Sequence, residues 1–169
     1  GLNLFLIVWI IIEIYQKLGV QTFFKNEIIN LKKDKDFILP EKLIFELNDT
    51  PDLAQTISVT CFGLGIACDL YGLKTLKIKE TDRLKALKNE LEKLGAKVNI
   101  TNQSLHLKKR TKFNPDVIID TYEDHRMAMA FTPLALLKPI IINNPKVISK
   151  SFPSFWKTLS KLCFEISEY

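Results

Sequence analysis

The chain has 169 residues, room for one ordinary domain, and its 47% apolar and 25% charged residues exclude a disordered chain or a fibrous repeat. Its net charge of +5 favours an anionic partner, but the basic residues are spread out. Only "LKKDKD" (31–36) and "LKKRTK" (107–112) cluster; lacking interleaved aromatics, they read as solvated faces rather than a nucleic-acid surface.

The opening run Leu4 to Ile12 holds nine consecutive apolar residues, too few for a bilayer helix of ~20, and it lacks the basic start of a signal peptide. It reads as a buried strand or helix, ending at "IYQKLG" with Gly19 as the stop. Strands are expected at "VQTFF", "EIINLK" and "LIFEL" (43–47). A long helix over "DTPDLAQTISVTCFGLGIA" follows, with Thr50 at the N-cap and Pro51 at its first position. Cys61 and Cys68, seven apart, fall in an apolar stretch read as helical. With Cys163 they make an odd set without CxxC or metal-ligand spacing, which points to buried thiols in a reducing cytoplasm and to no metal site.

"LKTLKI" reads as a strand. "TDRLKALKNELEKLG" reads as an amphipathic helix, with Leu84, Leu87, Leu91 and Leu94 at helical spacing, Glu90 placed to pair with Lys93, and Gly95 at its end. "KVNI" and "SLHL" form a hairpin in which His106 covers a strand face. "VIID" is a strand, "EDHRMAMAFTPLALL" a helix capped near Asp124, "IIINN" a strand, and "SFPSFWKTLSKLCFEI" a last helix with Pro153 in its first turn.

This order repeats. Leu18 and Leu94, Asp52 and Asp124, and Lys79 and Lys150 stand about 71 to 76 residues apart, a period too long for a solenoid and suited to a pseudo-symmetric α/β domain. The expected layout is one domain over 1–169, with internal units of about 12–72 and 73–150 and a closing helix at 152–166.

The helix starts carry an inverted charge pattern. Arg83 and Arg126 lie in first turns and Lys150 lies just before the last helix, where a cation is unfavourable by ~0.3–1 kcal/mol unless an anion sits there too. The repeat would bring the three cations together. Asp52 shares its repeat position with Asp124, and Glu80 and His125 place titratable groups beside Arg83 and Arg126, suited to proton transfer.

"KIKETDR", "TYEDHRMAMAF", "TPDLAQTI" and "SKSFPSFW", in this order and spacing, resemble the C-terminal part of the 5-enolpyruvylshikimate-3-phosphate synthases, from about Ile12 to the end. The resemblance implies an α/β (α+β) enolpyruvyl transferase fold of βαβαββ units, here about two complete units and part of a third, and a second domain absent from this chain. It implies attack of the 5-hydroxyl of shikimate 3-phosphate on C2 of phosphoenolpyruvate with loss of phosphate, no cofactor, a cytoplasmic enzyme of the shikimate pathway, and a monomer at full length.

By position, Asp52 would bind ring hydroxyls and act as base, Glu80 would pass a proton to C3, and Lys79 would lie near the reacting hydroxyl. Arg83, Arg126 and Lys150 would hold phosphoenolpyruvate, and His125 would orient Glu80. Thr75 stands where many members have an asparagine on the shikimate phosphate. The hydrophobic start departs from the family, in which a glycine-aspartate segment precedes the "IYQKLG" helix. Serines, glutamine, arginine and a lysine that complete both substrate sites belong to the other domain, so the chain alone is expected to be inactive. The alternatives are a non-catalytic anion- or partner-binding fragment, a basic nucleic-acid module, and a UDP-N-acetylglucosamine enolpyruvyl transferase, which shares an aspartate like Asp52 but not the Lys-Glu-Thr-Asp-Arg and Asp-His-Arg-Met-Ala-Met strings.

Overall fold

The computed structural model describes residues 4–78 and 82–168. The apolar opening forms α1 (Leu4–Gln16), which buries Ile14 and leaves Trp9 57% exposed, tilted against Phe24. Among the described residues no helix is long and apolar enough to cross a membrane. α1 leads into an antiparallel hairpin of β1 (Val20–Lys25) and β2 (Ile28–Lys33), turned by Asn26 and Glu27, both at positive φ as a tight two-residue hairpin turn requires.

The central layer is a four-stranded sheet in the order β3 (Lys42–Glu46), β4 (Ala67–Tyr71), β6 (Leu105–Leu107), β5 (Val98–Ile100). β3 and β4 are parallel and therefore need a crossover, which α2 (Ala54–Leu64) supplies after a 3-10 turn at Pro51–Leu53. β4 to β6 and β6 to β5 are antiparallel. α3 (Arg83–Lys93) packs its leucines inward, with Leu84, Leu87, Leu91 and Leu94 all buried as their spacing predicts. β7 (Ile118–Ile119) and β8 (Ile141–Ile142) make a short parallel pair joined through α4 (His125–Phe131) and a 3-10 turn, Thr132–Leu136. α5 (Phe155–Lys161) closes the order. The strands and helices from β3 to β6 thus run β-α-β-α-β-β in one sheet, which draws strands from both sides of residues 72 and 73.

Two elements differ from expectation. The helix expected through Ala67 stops at Leu64, because Gly65 takes the left-handed conformation at φ 76° and its N–H closes on Cys61 and Phe62 carbonyls. The residues beyond it form β4, so Cys68 lies on a strand while Cys61 remains helical. Both thiols are free and buried, and Cys163 is exposed. The neighbouring Cys61, then burial, push the Cys68 thiol well above the ordinary thiol range. The expected strand "LKTLKI" is a 3-10 helix, Lys74–Ile78. Leu73 and Leu76, three apart, both bury completely, a spacing that a 3-10 turn satisfies and a strand does not. Thr50 precedes Pro51 as expected, but its side chain makes no capping bond.

The basic cluster at 107–112 is divided. Lys108 and Lys109 are exposed, while Arg110 lies over the rings of Phe62 and Phe113 at 5.6 and 5.5 Å and donates to the Gly63 carbonyl. His106 sits on a strand face, as the alternation suggested. Its Nδ1 is 2.9 Å from Asp69 Oδ1 and its Nε2 is 2.9 Å from Ser104 Oγ. Asp69 also pairs with Lys42 across β3 and β4. Burial works to raise the Asp69 pKa, but bonds from Lys42 and His106 outweigh it and hold the carboxyl below the usual range.

A depressed folded pKa means that this stabilisation is complete above the unfolded value of about 4 and is lost as pH falls through the folded value. Asp69→Asn is accordingly expected to flatten the acid limb of a stability-versus-pH curve measured by urea denaturation; an unchanged limb would remove the ion pairs from the account. Gly72, at φ 77°, leaves no room for a side chain, since an added Cβ would meet the Asn48 backbone nitrogen at 2.5 Å. Gly72→Ala is expected to lower stability by ~1–3 kcal/mol, read from the urea midpoint.

Candidate active site

Three helix starts build the site. Asp52 lies in the 3-10 turn that Pro51 opens before α2, a position where a carboxylate is favoured by the helix dipole. Asp82 caps α3 by accepting from Lys85 N at 3.1 Å, which makes Arg83 the first helical residue. Asp124 caps α4 by accepting from Arg126 N at 2.9 Å.

The arginines and aspartates then interlock. Arg83, only 2% exposed, donates from Nε to Asp124 Oδ2 at 2.6 Å and from Nη1 to Asp52 Oδ1 at 2.7 Å. Asp52 Oδ2 is 3.2 Å from Nη2 of Arg126, whose side chain is 38% exposed. Gln55 Nε2 reaches Asp124 Oδ2 at 3.4 Å, and His125 Nδ1 stands 3.9 Å from Asp124 Oδ1. Arg83 and Asp124 are both buried, so each keeps the other from being an unpaired charge in the interior. The formal charges of Arg83, Arg126, Asp52 and Asp124 sum to zero.

Three cations were expected to meet at the helix starts. Arg83 and Arg126 do come together, but through Asp52. The inverted charge at the starts of α3 and α4 is balanced by carboxylates from neighbouring helix starts, which removes the need for an anion to explain those two. Lys150 ends a 3-10 helix, Pro145–Lys150, and is exposed. Thr75 is exposed on the 3-10 helix Lys74–Ile78. Lys79 and Glu80 lie outside the described residues. Among the described residues no group of three or more His, Cys, Asp or Glu side chains is placed to hold a metal ion.

A cavity of about 760 Å³ opens between α2 and α4. Asp52, His125 and Arg126 supply charged and titratable groups, Thr56, Thr60 and Ser151 add hydroxyls, and the rest is largely apolar, with Val59, Met129 and Leu134 among its walls. Both its size and its mixed lining suit a ligand site. Two polar atoms beside the cluster, Gln55 Oε1 and Arg126 Nε, are buried without a hydrogen-bond partner among the described residues. Such groups normally cost about 1–3 kcal/mol each unless a partner arrives.

Gln55 and Asp124 escaped the list of sequence candidates. Gln55 follows Asp52 by about one helical turn, and the "EDHR" string announces a cap, so both carried a local signal. Their pairings did not, because Asp124 meets Arg83 across 41 positions and Gln55 meets Asp124 across 69.

Behind α4, the fully buried Glu90 of α3 accepts from Lys93 Nζ at 2.8 Å, as expected, and also from Asp120 N at 3.1 Å and Tyr122 Oη at 2.7 Å. Burial, then Glu90, push the Tyr122 hydroxyl above the ordinary phenol range. Asn143 and Lys93 lower the pKa of Asp120.

The fold is that of the enolpyruvyl transferases. EPSP synthase from Acinetobacter baumannii, in two solved structures, matches 89% and 94% of this chain at TM-scores of 0.67 and 0.66 and 20% identity, over 38% and 39% of those chains. The chain belongs to the EPSP synthase (3-phosphoshikimate 1-carboxyvinyltransferase) family, whose sequence model matches residues 7–159. A 3-phosphoshikimate 1-carboxyvinyltransferase of Bacteroides fragilis is 45% identical over 157 residues, and one of Neisseria meningitidis is 35% identical over 148. This chain spans 38% and 34% of their lengths.

The two arginines should separate by burial. Arg83→Ala leaves Asp124 and Asp52 without their shared partner and is expected to cost ~3–5 kcal/mol, whereas Arg126→Ala, on a half-exposed pair, should cost under ~1 kcal/mol. Chemical denaturation of both variants checks this, and equal losses would contradict the buried-pair account.

Proposed function

We propose that this chain supplies one face of the site in which the enolpyruvyl group of phosphoenolpyruvate passes to the 5-hydroxyl of shikimate 3-phosphate. Family membership supports the reaction. The observation that supports the placement is that Arg83 and Arg126 share the Asp52 carboxylate beside a cavity with an apolar body.

The chemistry requires a base for the attacking hydroxyl, a proton for C3 of phosphoenolpyruvate as oxygen bonds to C2, and cations for two anionic substrates. Each Asp52 oxygen takes one guanidinium contact and retains lone-pair capacity for a substrate hydroxyl. Asp52 is the group we assign to the ring hydroxyls and to the base. Arg126, half-exposed and with an Nε unpartnered among the described residues, is the cation we assign to the carboxylate or phosphate of phosphoenolpyruvate. Arg83 holds Asp52 and Asp124 in place and lends charge from behind. Glu80 is assigned the proton for C3 and Lys79 the reacting hydroxyl, with His125 orienting Glu80. Lys150 is assigned to phosphoenolpyruvate and Thr75 to the shikimate phosphate. The remaining contacts would come from the greater part of the relatives' length that this chain does not span, and we propose that the chain alone turns over little or nothing.

Titration of phosphoenolpyruvate into the chain by calorimetry is expected to show binding that Arg126→Ala weakens at least about tenfold, the loss of one charge-assisted contact. Phosphate release from both substrates should be negligible; turnover of about 1–10³ per second by this chain alone would overturn the fragment reading. Binding that ignores Arg126 would favour a partner-binding role for the same face.

A further inference from the structure

Tyr122 and Glu123 stand side by side in the left-handed region, at φ 54° and 56°, immediately before Asp124 caps α4. Neither is glycine, so neighbouring contacts must hold the backbone there. Glu90 Oε1 accepts from Tyr122 Oη at 2.7 Å, its Oε2 accepts from the Asp120 backbone at 3.1 Å, and Asn144 Nδ2 donates to Glu123 Oε1 at 2.8 Å.

Glu90 is fully buried, a place where an apolar side chain would ordinarily serve packing as well or better. Its partners nevertheless lie on the one turn that delivers Asp124, His125 and Arg126. Glu90 sits on the helix whose first residue, Arg83, binds Asp124. One rigid element therefore grips the turn at Tyr122 and the cap residue at Asp124, and the geometry of α4's start is defined from both sides.

We infer that Glu90 and Tyr122 are positioning residues: their hydrogen bond fixes the left-handed turn that presents Asp124, His125 and Arg126, and through it the anion affinity of that face, without touching the ligand. The inference rests on the reading of that face as an anion site. Lys93, which also donates to Glu90 and to Asp120, ties the same turn from its solvent side.

Tyr122→Phe keeps the ring and removes the donor. In the full chain, amide hydrogen exchange at residues 123–127 should quicken about tenfold while the amides of α2 and β4 keep their rates, as expected when one hydrogen bond holding a local turn is lost. The Arg83 Nε–H resonance should shift, and phosphoenolpyruvate affinity should fall about fivefold, with the unfolding transition still cooperative. Glu90→Leu, which removes the acceptors for the Tyr122 hydroxyl and the Asp120 N–H together, should loosen the same residues further. Unchanged exchange at 123–127, or faster exchange spread evenly over the molecule, overturns the positioning role. A loosened turn with unchanged affinity overturns the link to the ligand. If wild type binds no phosphoenolpyruvate, the anion reading falls together with that link, and localised against even exchange then decides the positioning claim by itself.

Discussion

The site depends on one buried guanidinium. Arg83 begins α3 with almost no exposure, and among the described residues Asp124 and Asp52 meet that buried charge at 2.6 and 2.7 Å. Those bonds do more than neutralise it. Asp124 is also the cap of α4, so the start of that helix is tied to the start of α3; Asp52 lies in the turn before α2, so the third helix start is tied to the same atom group. The three elements that carry the candidate residues are thus registered by charge as well as by apolar packing.

Around this cluster the fold supplies rigidity from ordinary sources. The α3 leucines fill the space against the sheet, Phe62 and Phe113 pack 5.4 Å apart beneath Arg110, and the parallel pairing of β3 with β4 sets where α2 must run. The apolar wall that α2 and α4 turn toward their shared cavity is different, because it is lined by side chains and left open. A site with a polar side and an apolar body follows from placing two helix starts together without closing the space between the helices.

What could be read from the sequence was local. The leucine spacing of α3, the pairing of Glu90 with Lys93, the stop at Gly19 and the cap at Asp124 all depend on neighbours a few positions away. β4 was lost inside an apparent helix because "ACDLY" follows an apolar run without a polar break, and Gly65 acts as a stop only through its left-handed geometry. The residues 74–78 were misread because Leu73 and Leu76 sit where alternation and a period of three are hard to separate over so short a stretch. In the site, the inverted helix charges were visible, but their partners were not. Asp52 and Asp124 stand 31 and 41 positions from Arg83, and only the folded chain shows that the cations face aspartates rather than one another.

That internal balance changes how an anion can be received. Four charges summing to zero attract little, so affinity must come from exchange or from cations beyond these four. Arg83 cannot be the exchanging member, since releasing it would strand two carboxylates, one of them in the interior. Arg126 can: it is half-exposed, its contact with Asp52 at 3.2 Å is longer than those of Arg83 with Asp52 and Asp124, and among the described residues its Nε has no partner to lose. On the proposed assignment, an arriving carboxylate or phosphate that drew Arg126 away would leave Asp52 held by Arg83 and would open one carboxylate oxygen for a substrate hydroxyl. Binding of the anion and availability of the base would then be one event, with Arg83 as the fixed point on which both turn.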